Sequence, residues 1–150
     1  MVVHQSDSTG SDDRGAAGHP QVARMLAEDA ASRALGIEVV EVGDGTATAR
    51  MTIRDDMVNG HAIAHGGVVF SLADTAFACA CNSFGPVNVA ASAEIVFVAA
   101  AHAGDVLTAT ARARTRFGRS GIYDVTVRRG DHVVAEFRGR SHQLDDRHST

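Results

Sequence analysis

The sequence predicts an α+β fold in which an antiparallel β-sheet wraps around one long helix. Residues 66–83 form an apolar run with a single charged residue, which is typical of a buried helix. The segments that flank this run alternate apolar and polar residues between glycine-containing turns, as antiparallel strands do. Because the run is the only long apolar element, a sheet that buries one face is expected to cover it.

Composition limits the class of protein. The 150 residues, 45% of them hydrophobic, suit one domain, and the net charge of −4 argues against a general nucleic-acid binder, which needs a basic surface. No run of about 18 apolar residues is present, and residues 1–20 lack the apolar segment of a signal peptide. Cys79 and Cys81 lie two apart on a helix and cannot pair with each other. We therefore expect a cytoplasmic protein without a nucleic-acid or membrane partner.

The domain boundaries follow from polarity. Residues 1–18 are rich in Asp, Ser, Gly and His and show no apolar period, which predicts a disordered tail. The folded domain is expected over residues 19–143, with a flexible C-terminus at 144–150. Pro20 can open a helix, and apolar residues then recur at helical spacing until Gly36. The domain is thus predicted to begin with one short amphipathic helix.

A β-hairpin is predicted next, around the turn Gly43-Asp44-Gly45. Residues with β-branched side chains alternate on both sides of the Asp-Gly pair, which is a strong hairpin signal. Residues 54–65 are expected to form a loop that carries Asn, His and Asp side chains. The long helix then runs over about residues 66–83, and Gly85-Pro86 ends it.

Four further strands complete the predicted sheet. They are expected at residues 87–99, 105–117, 121–129 and 132–142, and turn residues separate them at regular spacing. Their order suggests a meander in which each strand pairs with the next. Three arginines alternate along the second of these strands and would line one face of the sheet: Arg112, Arg114 and Arg116. A solvated sheet face accounts for them as well as a phosphate site does.

A narrow polar stripe runs along the long helix. Nearly all of its polar side chains fall on one side at helical spacing: Ser71, Asp74, Thr75 and Asn82. A solvated face usually carries Lys, Glu or Arg, and this stripe has none, so it fits a confined cleft or a subunit interface. Carboxylates are almost never buried without a partner or a task, so Asp74 is the leading functional candidate.

The start of the long helix is the second candidate feature. Gly66 and Gly67 precede Val68, and the first amides of a helix have no internal partner and carry partial positive charge. Glycine lets a ligand oxygen approach such amides closely, as an oxyanion site requires. A flexible joint explains the two glycines equally well, and the pattern alone does not choose between the two explanations.

Other kinds of site find little support in the sequence. His61 and His65 have the spacing of helical metal ligands, but the neighbouring glycines place them in a loop, and no cysteine cluster joins them. The chain has no Gly-x-Ser-x-Gly motif, no phosphate-binding glycine loop with Lys, and no dinucleotide fingerprint. We therefore expect no metal site.

Several motifs occur in an order that is typical of one family. Around the long helix they are Asn59-Gly-His, His65-Gly-Gly, Ser71-Leu-Ala-Asp74-Thr-Ala and Cys81-Asn82-Ser. In the later strands they are Gly104-Asp-Val-Leu-Thr-Ala-Thr-Ala, Ser120-Gly-Ile-Tyr-Asp124 and Phe137-Arg-Gly-Arg-Ser-His142. Over about residues 20–143 the chain resembles the hot-dog-fold acyl-CoA thioesterases, and most closely the phenylacetate-degradation subgroup, PaaI/PaaD.

The resemblance implies a hot-dog fold that forms a homodimer, and commonly a homotetramer of two dimers, with active sites at the dimer interface. The family's helix carboxylate corresponds to Asp74, and its carbonyl-polarising backbone amide corresponds to Gly66 of the other subunit. The family's loop Asn and His correspond to Asn59 and His65. A Ser that helps to place the water corresponds to Ser92.

The resemblance also implies a substrate and a mechanism. The substrates are ring-containing acyl-CoA thioesters such as phenylacetyl-CoA and hydroxyphenylacetyl-CoA, hydrolysed without a metal or organic cofactor. Asp74 would attack as a nucleophile or activate water as a general base. Gly67 and Thr75 would lie near the substrate, and Arg119 is the candidate for the CoA phosphates.

Two alternatives stay open at this point. One is a hot-dog hydratase or dehydratase acting on acyl thioesters, for which His65 and Asp74 could supply the His–carboxylate pair. The other is a non-catalytic acyl-CoA-binding module on the same fold.

In either thioesterase mechanism, Asp74 lies about 12 Å along the helix axis from Gly66, at 1.5 Å per residue. Since both cannot reach one thioester carbon, the site would need two antiparallel copies of the helix.

Overall fold

The computed structural model describes residues 15–145, and it begins with two short helices rather than one. Helix α1 spans Pro20–Ala27 and helix α2 spans Ala30–Ala34. The prediction of a single helix is wrong because Asp29 starts a new one. Its carboxylate accepts a hydrogen bond from the backbone N–H of Ser32 at 2.9 Å, which is the N-cap arrangement that favours a helix start.

Six antiparallel strands form one sheet in the order β1-β2-β4-β5-β6-β3. The strands are β1 (Glu38–Gly43), β2 (Thr46–Thr52), β3 (Asn88–Phe97), β4 (Val106–Phe117), β5 (Ser120–Arg129) and β6 (His132–Gln143). The predicted hairpin β1–β2 is confirmed, and so is the β4–β5–β6 meander. The prediction that all four later strands form one meander is wrong, because β3 pairs with β6 and β4 pairs with β2.

Helix α3, Gly66–Asn82, lies across the concave face of the sheet and is the predicted central helix. Its Phe77 ring packs edge-on against Tyr123 and at a tilt against Phe137, with ring centroids 5.5 and 5.8 Å apart. Gly139 makes room for this ring, since a Cβ there would lie 2.9 Å from three of its atoms. Small buried residues on β2 and β4 let the helix approach the sheet closely: Ala47, Ala49, Ala109 and Ala111.

A β-bulge changes the predicted placement of the strand arginines. The register of β4 shifts between Ala113 and Thr115. As a result Arg112 lies opposite Asp124, whereas Arg116 lies opposite the buried Gly121. The Arg116 guanidinium stacks over the Phe84 ring at 3.6 Å from its centroid. The three arginines therefore do not share one face, because the extra residue of a bulge inverts the alternation beyond it.

The ends of the described chain pack on the domain. Ala16 is buried, and Gly15 lies so close to β1 that a Cβ there would overlap the Val39 carbonyl. At the other end, the backbone N–H of Leu144 donates to the Val87 carbonyl at 2.9 Å. Packed residues thus begin before the expected boundary at residue 19. The rest of the predicted tail and C-terminus lies outside the described residues.

Candidate active site

The loop before α3 is held by Asn59. Its side-chain oxygen accepts a hydrogen bond from the backbone N–H of His61 at 2.8 Å, and its own backbone N–H donates to the Ile63 carbonyl at 2.8 Å. Ala62 takes a left-handed backbone conformation, with φ of 60°, inside this turn. With its oxygen engaged in the loop, Asn59 can offer a ligand its amide NH₂ group.

His65 caps the start of α3. Its Nδ1 accepts a hydrogen bond from the N–H of Gly67 at 2.9 Å, and its carbonyl accepts from the N–H groups of Val68 and Val69. Three of the first four helix amides are thus satisfied by one residue. The N–H of Gly66 has no hydrogen-bond partner within residues 15–145. It is the helix amide left to bind a ligand oxygen.

A cavity of about 340 Å³ opens beside this amide. Gly66 and Asn59 both line it. Most of its remaining wall is apolar and comes from α3, the end of β3, the segment that follows it, and β6: Ile63, Val69, Phe97, Val98 and Val134. An apolar wall with a hydrogen-bond donor at its edge suits a ligand that carries a carbonyl group on an apolar body.

Asp74 lies two turns further along α3 and is half-buried. Burial raises the pKa of its carboxyl group above the ordinary value, and the negative charge of Asp29 adds to the effect. No hydrogen bond reaches the Asp74 carboxylate from any other residue of the described chain. Asp74 does not line the cavity beside Gly66. One chain therefore holds the two predicted catalytic groups apart, as the helix geometry requires.

The other polar residues of the stripe have internal partners. The Ser71 hydroxyl donates to the Gly67 carbonyl at 2.8 Å, and the buried Thr75 hydroxyl lies 2.8 Å from that of Ser32. The buried Asn82 side chain accepts from the backbone N–H of Asn88 at 2.8 Å and donates to its carbonyl. Thr75 and Asn82 thus pack inside the domain, and Ser71 bonds to its own helix. Asp74 is the residue of the stripe that has no hydrogen-bond partner in the described chain, which strengthens its candidacy.

Two predicted residues lie away from the cavity within one chain. Ser92 is opposite Arg140 on β6, beyond a register shift in β3, and lines a second concavity of about 340 Å³ with Glu94 and Arg138. Arg119, in the turn between β4 and β5, forms an ion pair with Asp145. A single chain therefore does not bring either residue beside Gly66.

Sequence reasoning overlooked two residues beside the functional face of α3: Ser32 contacts Thr75, and Asp29 accepts hydrogen bonds from Ser32. The Asp-x-x-Ser spacing is a helix N-cap pattern and could have revealed the start of α2. Nothing local in the sequence could have revealed the contact of Ser32 with Thr75, which lies 43 residues further along the chain.

Two classes of feature are absent from the described part of the chain. Within residues 15–145, no group of three or more His, Cys, Asp or Glu side chains is placed to hold a metal ion. Over the same residues, no helix is both long and apolar enough to cross a membrane.

Comparison with known proteins shows to which family the chain belongs. Residues 61–136 match the family model of the thioesterase superfamily. The chain belongs to this superfamily. The match begins in the loop before α3 and takes in His65, Gly66 and Asp74. The predictions of a thioester hydrolase and of the hot-dog fold are therefore confirmed.

Individual relatives of this thioesterase agree with the family match. It is 46% identical to the acyl-coenzyme A thioesterase PaaI of Escherichia coli over 121 residues, which cover 80% of this chain and 86% of the relative. The structure of the E. coli PaaI protein from the phenylacetic acid degradation operon superposes with a TM-score of 0.82 and 42% identity, covering 90% of this chain and 97% of that one.

A second solved structure extends the likeness to another organism. It is a mutant of the phenylacetic acid degradation protein PaaI from Thermus thermophilus. This structure superposes on the thioesterase with a TM-score of 0.73 and 34% identity, covering 75% of this chain and 97% of that one. The resemblance to the PaaI subgroup, first based on short motifs, is thus confirmed over most of the domain.

Proposed function

We propose that this thioesterase hydrolyses aryl-acyl-CoA thioesters, such as phenylacetyl-CoA and hydroxyphenylacetyl-CoA, to the free acid and CoA. The observation that carries the proposal is the Gly66 amide, which has no partner in the described chain and lies at the edge of an apolar cavity of about 340 Å³. The cavity size lies within the range of small-molecule pockets. The similarity to acyl-CoA thioesterase PaaI and to proteins of phenylacetic acid degradation supports the choice of acyl group.

In this proposal the Gly66 amide polarises the thioester carbonyl. The carbonyl oxygen accepts a hydrogen bond from this N–H, and the bond strengthens as negative charge develops on the oxygen. The amide is already oriented before the substrate arrives, because His65 caps the helix and holds the next amide. The positive end of the α3 dipole adds to the stabilisation. Asn59 presents its NH₂ group to the substrate or to the attacking water.

Asp74 is the proposed second catalytic group, and it can act in two ways. As a nucleophile, its carboxylate oxygen attacks the carbonyl carbon, the C–S bond breaks, CoA leaves as the thiol after protonation, and water hydrolyses the resulting anhydride. As a general base, it takes a proton from water while the water oxygen attacks the same carbon. The raised pKa of Asp74 makes its carboxylate a stronger nucleophile in the first route and a stronger base in the second.

A homodimer is part of the proposal. Gly66 and Asp74 lie about 12 Å apart along α3, so one thioester must take the amide from one subunit and the carboxylate from the other. β3 is an edge strand of the sheet, and it leaves large apolar side chains exposed on itself and on the residue after it: Val96 at 63%, Phe97 at 54% and Val98 at 57%. Pairing of this edge with a second copy would cover them.

The remaining expected residues fit this two-subunit arrangement. Ser92 lies on the same edge strand, so a partner chain could bring it to the site and let it help to place the water. Gly67 and Thr75 flank the two catalytic groups. Arg119 is the proposed contact for the CoA phosphates, and the dimers would pair into a tetramer. Because its substrates are CoA thioesters, we place the enzyme in the cytoplasm.

The test is a thiol-release assay on the purified full-length protein. Phenylacetyl-CoA and hydroxyphenylacetyl-CoA should release free CoA, detected with DTNB, with a higher kcat/KM than straight-chain acyl-CoA thioesters of similar size. Asp74→Ala should abolish the release while the oligomer stays intact. Turnover of an enoyl-CoA without thiol release would indicate a hydratase, and saturable binding without turnover would indicate a binding module. Wild-type turnover by Asp74→Ala would refute the catalytic assignment.

A single turnover in ¹⁸O-labelled water separates the two roles of Asp74. With a nucleophilic Asp74, the water can attack the anhydride at the Asp74 carbon, so mass spectrometry should find ¹⁸O in the protein. With a general base, the label should appear in the released acid alone.

A further inference from the structure

A chain of polar contacts links α2 to the catalytic face of α3. The Ser32 hydroxyl donates to the Asp29 carboxylate at 2.6 Å, and the Ser32 and Thr75 hydroxyl oxygens lie 2.8 Å apart. Either hydroxyl can donate across this contact, and the Thr75 hydroxyl also donates to the Ser71 carbonyl at 3.0 Å. Ser32 and Thr75 are both buried, at 8% and 7% exposure. The chain therefore fixes the residue next to Asp74.

The position of Asp74 depends on such neighbours. Its carboxylate receives no hydrogen bond from the described residues, so its own side-chain bonds do not hold it in place. Its position therefore follows that of the α3 turn that carries it, which the contact between Thr75 and Ser32 ties to α2. A misplacement of the reacting group by about 1 Å can cost on the order of a hundredfold in rate.

Asp29 also brings a negative charge to this face. Burial is the main cause of the raised pKa of Asp74, and the repulsion between its carboxylate and that of Asp29 is the second cause. The sheet side of α3 packs on uncharged residues such as Ala49 and Leu107. On α3 itself, burial raises the pKa of Cys81 to about 12, so this thiol stays neutral. From α1, Met25 lies against α3 and is uncharged. Asp29 is thus the charged group that acts on Asp74 within the described chain.

We propose that Asp29 and Ser32 are positioning residues for the catalytic face of α3. Through Thr75 they hold the helix turn that carries Asp74, and Asp29 places a second negative charge beside it. The inference rests on the proposed catalytic role of Asp74. It assigns to the two N-terminal helices, which pack against α3, a part in setting the pH range of the enzyme.

The variant Asp29→Asn tests the effect of the Asp29 charge on Asp74, because Asn caps a helix about as well as Asp and has nearly the same shape. Without the neighbouring charge, Asp74 should ionise more readily. The acidic limb of the kcat/KM profile should therefore move to lower pH, so that the rate relative to wild type rises as the pH falls. Glu28→Gln removes the same charge from the adjacent exposed residue, and its profile should match wild type.

The hydrogen-bonded chain is tested with Thr75→Val and Thr75→Ser. Val keeps the shape of Thr and removes its hydroxyl, whereas Ser keeps the hydroxyl. Thr75→Val should lower kcat on the order of tenfold to a hundredfold with the acidic limb unmoved, and Thr75→Ser, which keeps the hydroxyl, should recover most of that loss. Circular dichroism and light scattering confirm that each variant is folded and assembled.

The outcomes separate this inference from the proposed function. If Asp74→Ala is inactive, Asp29→Asn moves the acidic limb while Glu28→Gln does not, and Thr75→Val lowers kcat, the inference stands. If Asp74→Ala is inactive but Asp29→Asn has the wild-type profile or Thr75→Val the wild-type kcat, the inference is refuted and the proposed function survives. If Asp74→Ala is active, the proposed function itself has failed.

Discussion

Replacing Gly66 with proline would remove the amide N–H that we assign to the thioester carbonyl while leaving the helix start in place. Gly66 is the first residue of α3, where proline is favoured, and its N–H makes no bond within the described chain that could be lost. The preceding His65 has φ of −62° and ψ of 134°, the extended conformation that a residue before proline prefers. Gly66→Pro is therefore compatible with the local backbone.

The matched control is Gly66→Ala. A Cβ at position 66 would lie 3.0 Å from the edge of the Phe97 ring in either variant, and this half-exposed ring can turn aside. Only the proline also removes the N–H and puts its ring carbon in that place, so the ratio of the two rates reports the loss of this amide as a donor to the substrate. Loss of one oxyanion donor costs about 2.7–4 kcal/mol, which is a factor of roughly 10²–10³ in kcat.

The assay is thiol release from phenylacetyl-CoA, with kcat and KM measured separately. We expect kcat of Gly66→Pro to fall by roughly 10²–10³ below that of Gly66→Ala, because the lost bond is strongest in the transition state. Circular dichroism and light scattering should show the same fold and oligomer for both. A kcat for Gly66→Pro within about threefold of Gly66→Ala, far short of the range above, would refute the role of this amide.

Further predictions concern stability and assembly. Gly139→Ala would press a Cβ against the Phe77 ring at 2.9 Å and should lower the free energy of unfolding in urea by about 1–3 kcal/mol. Because burial raises the pKa of Asp74, the native state disfavours its charged form, and stability is lost as the pH rises past the unfolded value. Asp74→Asn should therefore raise Tm at neutral pH, and the gain should vanish below about pH 4, where both states are protonated. Val96→Asp on the β3 edge should yield monomers and abolish turnover together, whereas Val106→Asp, at an exposed apolar position on β4, should do neither in light scattering and thiol-release assays. An active monomer would contradict the two-subunit site.

Local patterns predicted much of this molecule. The limits of α3 agree with the predicted helix to within one residue, and the Asp44-Gly45 turn joins β1 and β2 as expected. Asp74 and Gly66 also stand out through local features, a lone charge in an apolar run and a glycine pair at a helix start. These features depend on residues close in sequence, through the helical and strand periods and through turn conformations.

Long-range packing decided the rest. The pairing of β3 with β6, the inversion of Arg116 at a bulge and the contact of Ser32 with Thr75 all join residues that no periodicity relates. The break at Asp29 likewise brings Ser32 to α3 only in the folded domain.

The sequence by itself determined the strands and the long helix, the family and the identity of the candidate catalytic groups, because local conformational preferences depend on neighbouring residues. The tertiary structure decided how those groups are used. His65 satisfied three of the first four α3 amides locally and left that of Gly66, whereas contacts from other elements engaged Thr75 and Asn82 and left the Asp74 carboxylate without a hydrogen bond in the described chain. Whether a polar side chain of the stripe has a partner therefore depends on residues that only the folded molecule brings together.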